Sequence, residues 1–316
     1  MYIPHTEADR QVMLKTIGVD DVRDLFHDVP QSIRFPKLDL PKAASELEIL
    51  QELQMLGDAN VSLKDVSCFL GAGAYHRFIP SVVDQIISRS EFYTAYTPYQ
   101  PEVSQGTLQA MYEYQTMLCM LTGLDVANGS HYDGATSAAE AVIMALNVNR
   151  GRRRRFVLSP TLHPHTREVI RTYTQGMNLT MIGDNDLANA DLKRLAALCD
   201  GDTGAVLVQN PDFLGQLYSP QEMQTLADQL HECGAMLVVA ADPISLGLFT
   251  PPGEYGADVV VGEGQALGNS LSYGGPYLGI FACKMEHVRR SSGRIAGETV
   301  DADGQRGYVL TLGTRE

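Results

Sequence analysis

No apolar run in this 316-residue chain approaches the ~20 residues that a membrane-spanning helix needs, and the acidic amino terminus resembles neither a signal nor a transit peptide. The expectation is a soluble, cytoplasmic protein with no membrane partner. Cysteine is sparse and scattered: Cys68, Cys119, Cys199, Cys233 and Cys283 lie at neither paired nor metal-like spacings, so reduced thiols and no metal site are expected. Positive charge is short as well, with Lys and Arg together 24 against 38 Asp and Glu, a net charge of −14 that argues against nucleic acid as a partner. The run Arg150-Gly151-Arg152-Arg153-Arg154-Arg155 stands out against that background and reads as a solvated basic turn.

What remains is ordinary globular composition, 44% hydrophobic, enough for one large α/β body with extra pieces. Capped helical patterns fill the first part: one closing on Gly18, a short one around Asp20 to Phe26, and a Ser45/Glu48 capping box before the stripe Leu47, Leu50, Leu53, Leu56. They suggest a helical segment over 1–62, followed by an α/β domain over 63–316. In that second part strands alternate with helices: Phe156 to Leu158, Thr166 to Tyr173, Leu179 to Ile182, Asp191 to Leu198, Ala205 to Val208, Pro220 to Cys233, Met236 to Val239, Val259 to Val261. This order implies right-handed crossovers and a mainly parallel sheet covered on both faces. Ligands on such sheets bind outside the carboxyl ends of the strands.

Several residues near those ends invite a chemical reading. Gly134-Ala135-Thr136 opens an alanine-rich helix, a geometry that suits a phosphate and equally suits close packing. His163, just past a strand, fits either a ring-stacking role or a helix cap. Asp242 fits either a partner for a pyridine nitrogen or a turn aspartate before proline. A proline-punctuated stretch from Glu91 to Gly106, rich in tyrosine, fits a recognition loop or an ordered surface loop, with helical spacing resuming at Thr107.

Most telling is the pair of apolar runs Val259 to Val261 and Tyr277 to Ala282 with a glycine-rich turn between them. Enzymes that hold pyridoxal phosphate on an α/β sheet place their Schiff-base lysine in such a turn. Here the turn holds Gln265, Ala266 and Leu267, none of which can form an imine. The lysines are Lys15, Lys37, Lys42, Lys64, Lys193 and Lys284; only Lys284 follows Asp242, and it lies at the far end of the hairpin, where a solvated helix start is expected. An independent pyridoxal-phosphate enzyme would have to use it.

Tyr2-Ile3-Pro4-His5-Thr6, Phe69-Leu70-Gly71-Ala72-Gly73-Ala74-Tyr75, the stretch Glu91 to Gly106 and Tyr132-Asp133-Gly134-Ala135-Thr136 together resemble the signature segments of the glycine cleavage system P-protein family, in its two-subunit bacterial form. The resemblance is to subunit 1 of glycine dehydrogenase (decarboxylating), the amino-terminal half. It implies the large domain of the pyridoxal-phosphate aminotransferase-like fold (fold type I), with the carboxyl-terminal small domain outside this sequence, because family members continue past Gly307 to Glu316. It also implies a homologous subunit 2, with His-Lys-Thr where this chain has Gln265 to Leu267, that binds the pyridoxal phosphate. The family's reaction decarboxylates glycine and passes the aminomethyl group to the lipoyl arm of H-protein. By that resemblance Tyr93, Tyr96, Glu102, Ser104 and Gln105 contribute to a substrate or interface site, and Gly134, Ala135, Thr136, His163 and Asp242 are a remnant cofactor pocket. A subunit that only stabilises its lysine-bearing partner fits the same residues.

Overall fold

A computed structural model describes residues 4–63 and 65–312; Met1, Tyr2, Ile3, Lys64 and the last four residues lie outside that description. Contacts divide the chain into two compact units, Met1–Phe69 and Leu70–Glu316.

In the first unit, α1 (Glu7–Ile17) starts on a Thr6/Asp9 capping box and stops on Gly18, which takes the left-handed conformation that a side chain would disfavour. The segment expected as a second helix is a 3-10 turn, Val22–Phe26. Phe26 meets the edge of Phe35 at 5.2 Å. Helix α2 (Glu46–Asp58) begins on the predicted Ser45/Glu48 box, and its Leu47, Leu50 and Leu53 are exposed.

The second unit opens with α3 (Ser81–Ile87) and α4 (Ser90–Tyr93), followed by the long α5 (Pro101–Thr122). The tyrosine-rich stretch is therefore shorter than the sequence suggests. Proline is well placed at the first helical position, where a missing N–H costs nothing, so the helix starts at Pro101 and runs past a kink at Ser104.

Seven strands then make one sheet: β1 (Val126–Ala127), β2 (Arg155–Leu158), β3 (Thr180–Ile182), β4 (Thr203–Gln209), β5 (Met236–Ala240), β6 (Val259–Glu263) and β7 (Gly279–Cys283). Their spatial order is β1-β7-β6-β5-β4-β2-β3, and β7 is the one antiparallel strand. Between them run α6 (Gly134–Val148), α7 (Pro164–Thr174), α8 (Leu192–Ala196) and α9 (Pro220–Cys233).

Alternation along each strand builds two cores. Phe156, Leu158, Leu207, Val238, Val261 and Phe281 pack under α6 and α7, while Val157, Val206, Leu237, Val239 and Val260 pack under α8 and α9. Both faces are buried, which is why the strands read as continuous apolar runs.

A separate hairpin, β8 (Ile295–Val300) and β9 (Arg306–Thr311), lies on α5 around Leu108, Ala296, Tyr308 and Leu310. Two glutamines of α5 fasten it. Gln105 donates to the Tyr308 carbonyl and accepts from its N–H, both at 2.8 Å; Gln115 does the same to Ala296, both at 2.9 Å.

The arginine run is not simply solvated. Arg153 donates to the carbonyls of Thr203 (3.0 Å) and Cys233 (2.7 Å), Arg154 donates to that of Met177 (2.8 Å), and Arg155 pairs with Asp200. These guanidiniums tie strand ends and helix ends together at the amino edge of the sheet. Lys284 also departs from expectation: its ammonium is half-buried against Asp258, which accepts from His231 Nε2 (2.8 Å) and Leu237 N (2.7 Å) as well. Among the described residues no helix is long and apolar enough to cross a membrane, and none of their His, Cys, Asp and Glu side chains group as a metal site.

Candidate functional site

The carboxyl ends of β2, β4, β5 and β6 deliver His163, Gln209, Asp242 and Glu263 to one edge of the sheet. Each is held by groups of the same chain.

His163 caps α7: its Nδ1 accepts from His165 N at 3.1 Å. Its backbone N–H donates to Gln209 Oε1 (3.0 Å), its Nε2 lies 3.0 Å from the Ala72 carbonyl, and the ring meets the edge of Phe213 at 4.9 Å. The helix-capping geometry read from the sequence is realised.

Asp242 accepts from Ile244 N (3.0 Å) in a local turn, and its other oxygen pairs with Arg77 Nη2 at 3.2 Å. Arg77 in turn lies over the Tyr75 ring, 5.3 Å from its centroid. The segment from Ala72 to Arg77, which begins in the signature stretch Phe69 to Tyr75 and runs past it, thus fastens to the sheet edge at both His163 and Asp242.

The start of α6 is packed closely against the β6–β7 hairpin. A Cβ on Gly134 would come within 2.8 Å of Glu263 N, and one on Gly279 within 2.5 Å of the Asp133 carbonyl, so both approaches require glycine. Asp133 Oδ1 accepts from Thr136 N at 2.7 Å, while the Thr136 hydroxyl accepts from Asp133 N at 3.1 Å. Glu263, which the sequence reading passed over, does more. Its Oε2 accepts from Gly134 N (2.9 Å), and its Oε1 accepts from Gln265 N (2.8 Å) and Leu278 N (3.0 Å). A carboxylate two residues before the lysine-less turn was the available signal.

Gln265 itself is buried and its side chain donates to the Asn269 carbonyl; Ala266 is half-buried and Leu267 exposed. Tyr114, nearby on α5, has a buried hydroxyl without a partner, and its pKa is pushed up to about 12 by burial first and by the charge of Glu263 second. A phenol there stays protonated at any physiological pH.

Of the predicted substrate or interface residues, Tyr93 ends α4, and Tyr96 stands 89% exposed on the connecting loop. Glu102 is exposed on the first turn of α5. Ser104 lies at the kink, and Gln105 is engaged with β9 as described. Tyr99 is drawn instead to Arg294, which donates to its hydroxyl at 2.5 Å and covers its ring. A cavity of about 520 Å³ opens beside that pair, lined also by Arg289 and Leu310.

Pyridoxal phosphate, the coenzyme of this fold, does not fit these residues. The second unit's lysines are Lys193 on α8 and Lys284 against Asp258, neither of them in the turn between β6 and β7. Two carboxylates occupy the helix start where a phosphate would bind, and the Asp242 carboxylate is paired with arginine.

The family model described as "Glycine cleavage system P-protein" matches residues 1–316. The chain is 51% identical over 318 residues to a probable glycine dehydrogenase (decarboxylating) subunit 1 of Chloroherpeton thalassium, covering all of this chain and 70% of that one. It is 49% identical over 321 residues to a protein of the same description in Thermomicrobium roseum, with the same coverage. A crystal structure of glycine decarboxylase (P-protein) of the glycine cleavage system, in inhibitor-bound form, superposes with TM-score 0.86 at 41% identity, over 99% of this chain and 69% of that one. A Burkholderia pseudomallei sphingosine-1-phosphate lyase matches at TM-score 0.56 and 14% identity, over 89% of this chain and 67% of that one, a likeness of fold alone.

Proposed function

Because this chain belongs to the glycine cleavage system P-protein family, we propose that it is the non-lysine subunit of a two-subunit glycine decarboxylase and works only with a homologous, lysine-bearing partner. The observation that carries this reading is the turn Gln265-Ala266-Leu267: the right fold, the right hairpin, and no amine in it. The partner holds pyridoxal phosphate, which supplies the electron sink for loss of the glycine carboxylate. The aminomethyl group would then bond to one sulfur of the oxidised lipoyl disulfide of H-protein, whose S–S bond breaks to leave the other sulfur as a thiol.

This chain's share is a surface. Tyr93, Tyr96 and Glu102 stand exposed between α4 and the start of α5, where aromatic rings with polar tips can close over a neighbour's substrate and exclude water. Ser104 and Gln105 set the direction of that helix start, the first through the kink and the second through its bonds to Tyr308.

Reconstitution tests the reading. The full-length chain, mixed with the lysine-bearing subunit and lipoylated H-protein, is expected to catalyse glycine-dependent CO2 exchange that neither subunit gives by itself; no exchange from the mixture removes the idea. Tyr96→Phe and Glu102→Gln are expected to leave assembly intact and to lower exchange by about 10- to 100-fold. Unchanged exchange in both would make the chain a stabilising scaffold.

A further inference from the structure

Three features of the sheet edge that would serve a coenzyme are already satisfied from within. The N–H of Gly134 at the positive end of α6, joined by those of Gln265 and Leu278, converges on the carboxylate of Glu263 at 2.8–3.0 Å. An acidic group there satisfies the same donors and the same helix dipole that a phosphate oxygen would. Asp242, placed to hold a protonated ring nitrogen, is held instead by a guanidinium, which is permanently charged. His163, placed beside a ring, is engaged by the Ala72 carbonyl and by its own helix.

We propose that the coenzyme-type pocket of this chain is self-filled: the Glu263 carboxylate stands in for a phosphate and Arg77 for a pyridinium, so the residues that would bind a phosphorylated coenzyme instead fasten the 70–79 segment and the β6–β7 turn. Charge opposes a second anion. A phosphate dianion approaching α6 would meet the part-buried carboxylates of both Glu263 and Asp133, like charges that disfavour its binding. The raised pKa of Tyr114 agrees, since Glu263 contributes to it as a negative charge. On this account Glu263 and Arg77 are positioning residues. They act within this chain and do not depend on whether the complex decarboxylates glycine.

Equilibrium dialysis of the full-length chain against inorganic phosphate and against pyridoxal phosphate provides the test. Wild type is expected to show saturable binding of neither, and saturable binding of either at its sheet edge overturns the proposal. Glu263→Ala frees three N–H groups without leaving a charge, and is expected to bind inorganic phosphate at least about tenfold more tightly, with a melting temperature that rises on adding phosphate. A natively folded Glu263→Ala or Glu263→Gln chain that binds phosphate no better than wild type also overturns it. If neither variant folds unaided, phosphate is expected to restore folding, and failure to do so counts against a replaceable anion. For the other half, Arg77→Ala is expected to raise hydrogen exchange of residues 70–79 by about tenfold, as loss of a part-buried charge-assisted contact would; unchanged protection there removes Arg77 from the account.

Discussion

Gln115 shows how much a single buried amide can hold. Its side chain makes the two backbone bonds that Ala296 would otherwise lack on the α5 side, and both groups are buried. Removing it strands a donor and an acceptor away from water, so Gln115→Ala is expected to lower unfolding free energy by about 1–3 kcal/mol, read from the denaturant midpoint. Gln105→Ala, whose residue is exposed, should cost less. A second residue-scale expectation concerns alkali. Burial pushes Tyr114 and Tyr255 up to about 12 from the ordinary phenol value of 10.0. The folded state therefore keeps these protons to higher pH than the unfolded chain does. The resulting stability is complete below pH 10 and is lost as pH rises toward 12. Absorbance near the tyrosinate band should show Tyr114 and Tyr255 titrating after the exposed phenols, with Tyr218 also delayed by burial, and denaturant midpoints should fall across that window.

Asp258 joins elements in the same way that Gln115 joins residues. It lies at the entry of β6, is 4% exposed, and accepts from α9 through His231, from β5 through Leu237 N and from the end of β7 through Lys284. Taking away the carboxylate leaves a half-buried ammonium and a backbone N–H without their acceptor, so Asp258→Ala is expected to destabilise by about 3–5 kcal/mol in chemical denaturation. Elements were the most legible level of the sequence. Helix α9 spans Pro220–Cys233, the bounds read from the sequence, and β5 and β6 match their apolar runs within two residues. The start of α5 was less legible, because the tyrosines and prolines before it carry loop chemistry right up to the residue where the helix begins.

For the whole molecule, the arrangement of charge and amines leads to one further expectation. Incubating the full-length chain alone with pyridoxal phosphate and then borohydride should trap no stoichiometric adduct. Lys284 is committed to Asp258 at the amino edge of the sheet, opposite the strand ends where this fold binds its coenzyme. A defined adduct at Lys284, found by peptide mapping, would contradict both the partner-held coenzyme and the structural role given to that lysine.

By itself the sequence determined the architecture and the missing chemistry. Apolar periodicity and capping signals are local, so the alternation of strands and helices could be read directly, and a residue that is not lysine cannot make an imine in any fold. Only the tertiary structure decided what became of the pocket. Arg77 lies 165 residues from Asp242, and Gly134 lies 129 from Glu263. No local pattern announces such pairs; they exist because parallel crossovers bring strand ends, a helix start and an amino-proximal segment to one edge, where carboxylates, a guanidinium and backbone N–H groups with little access to water pair with one another.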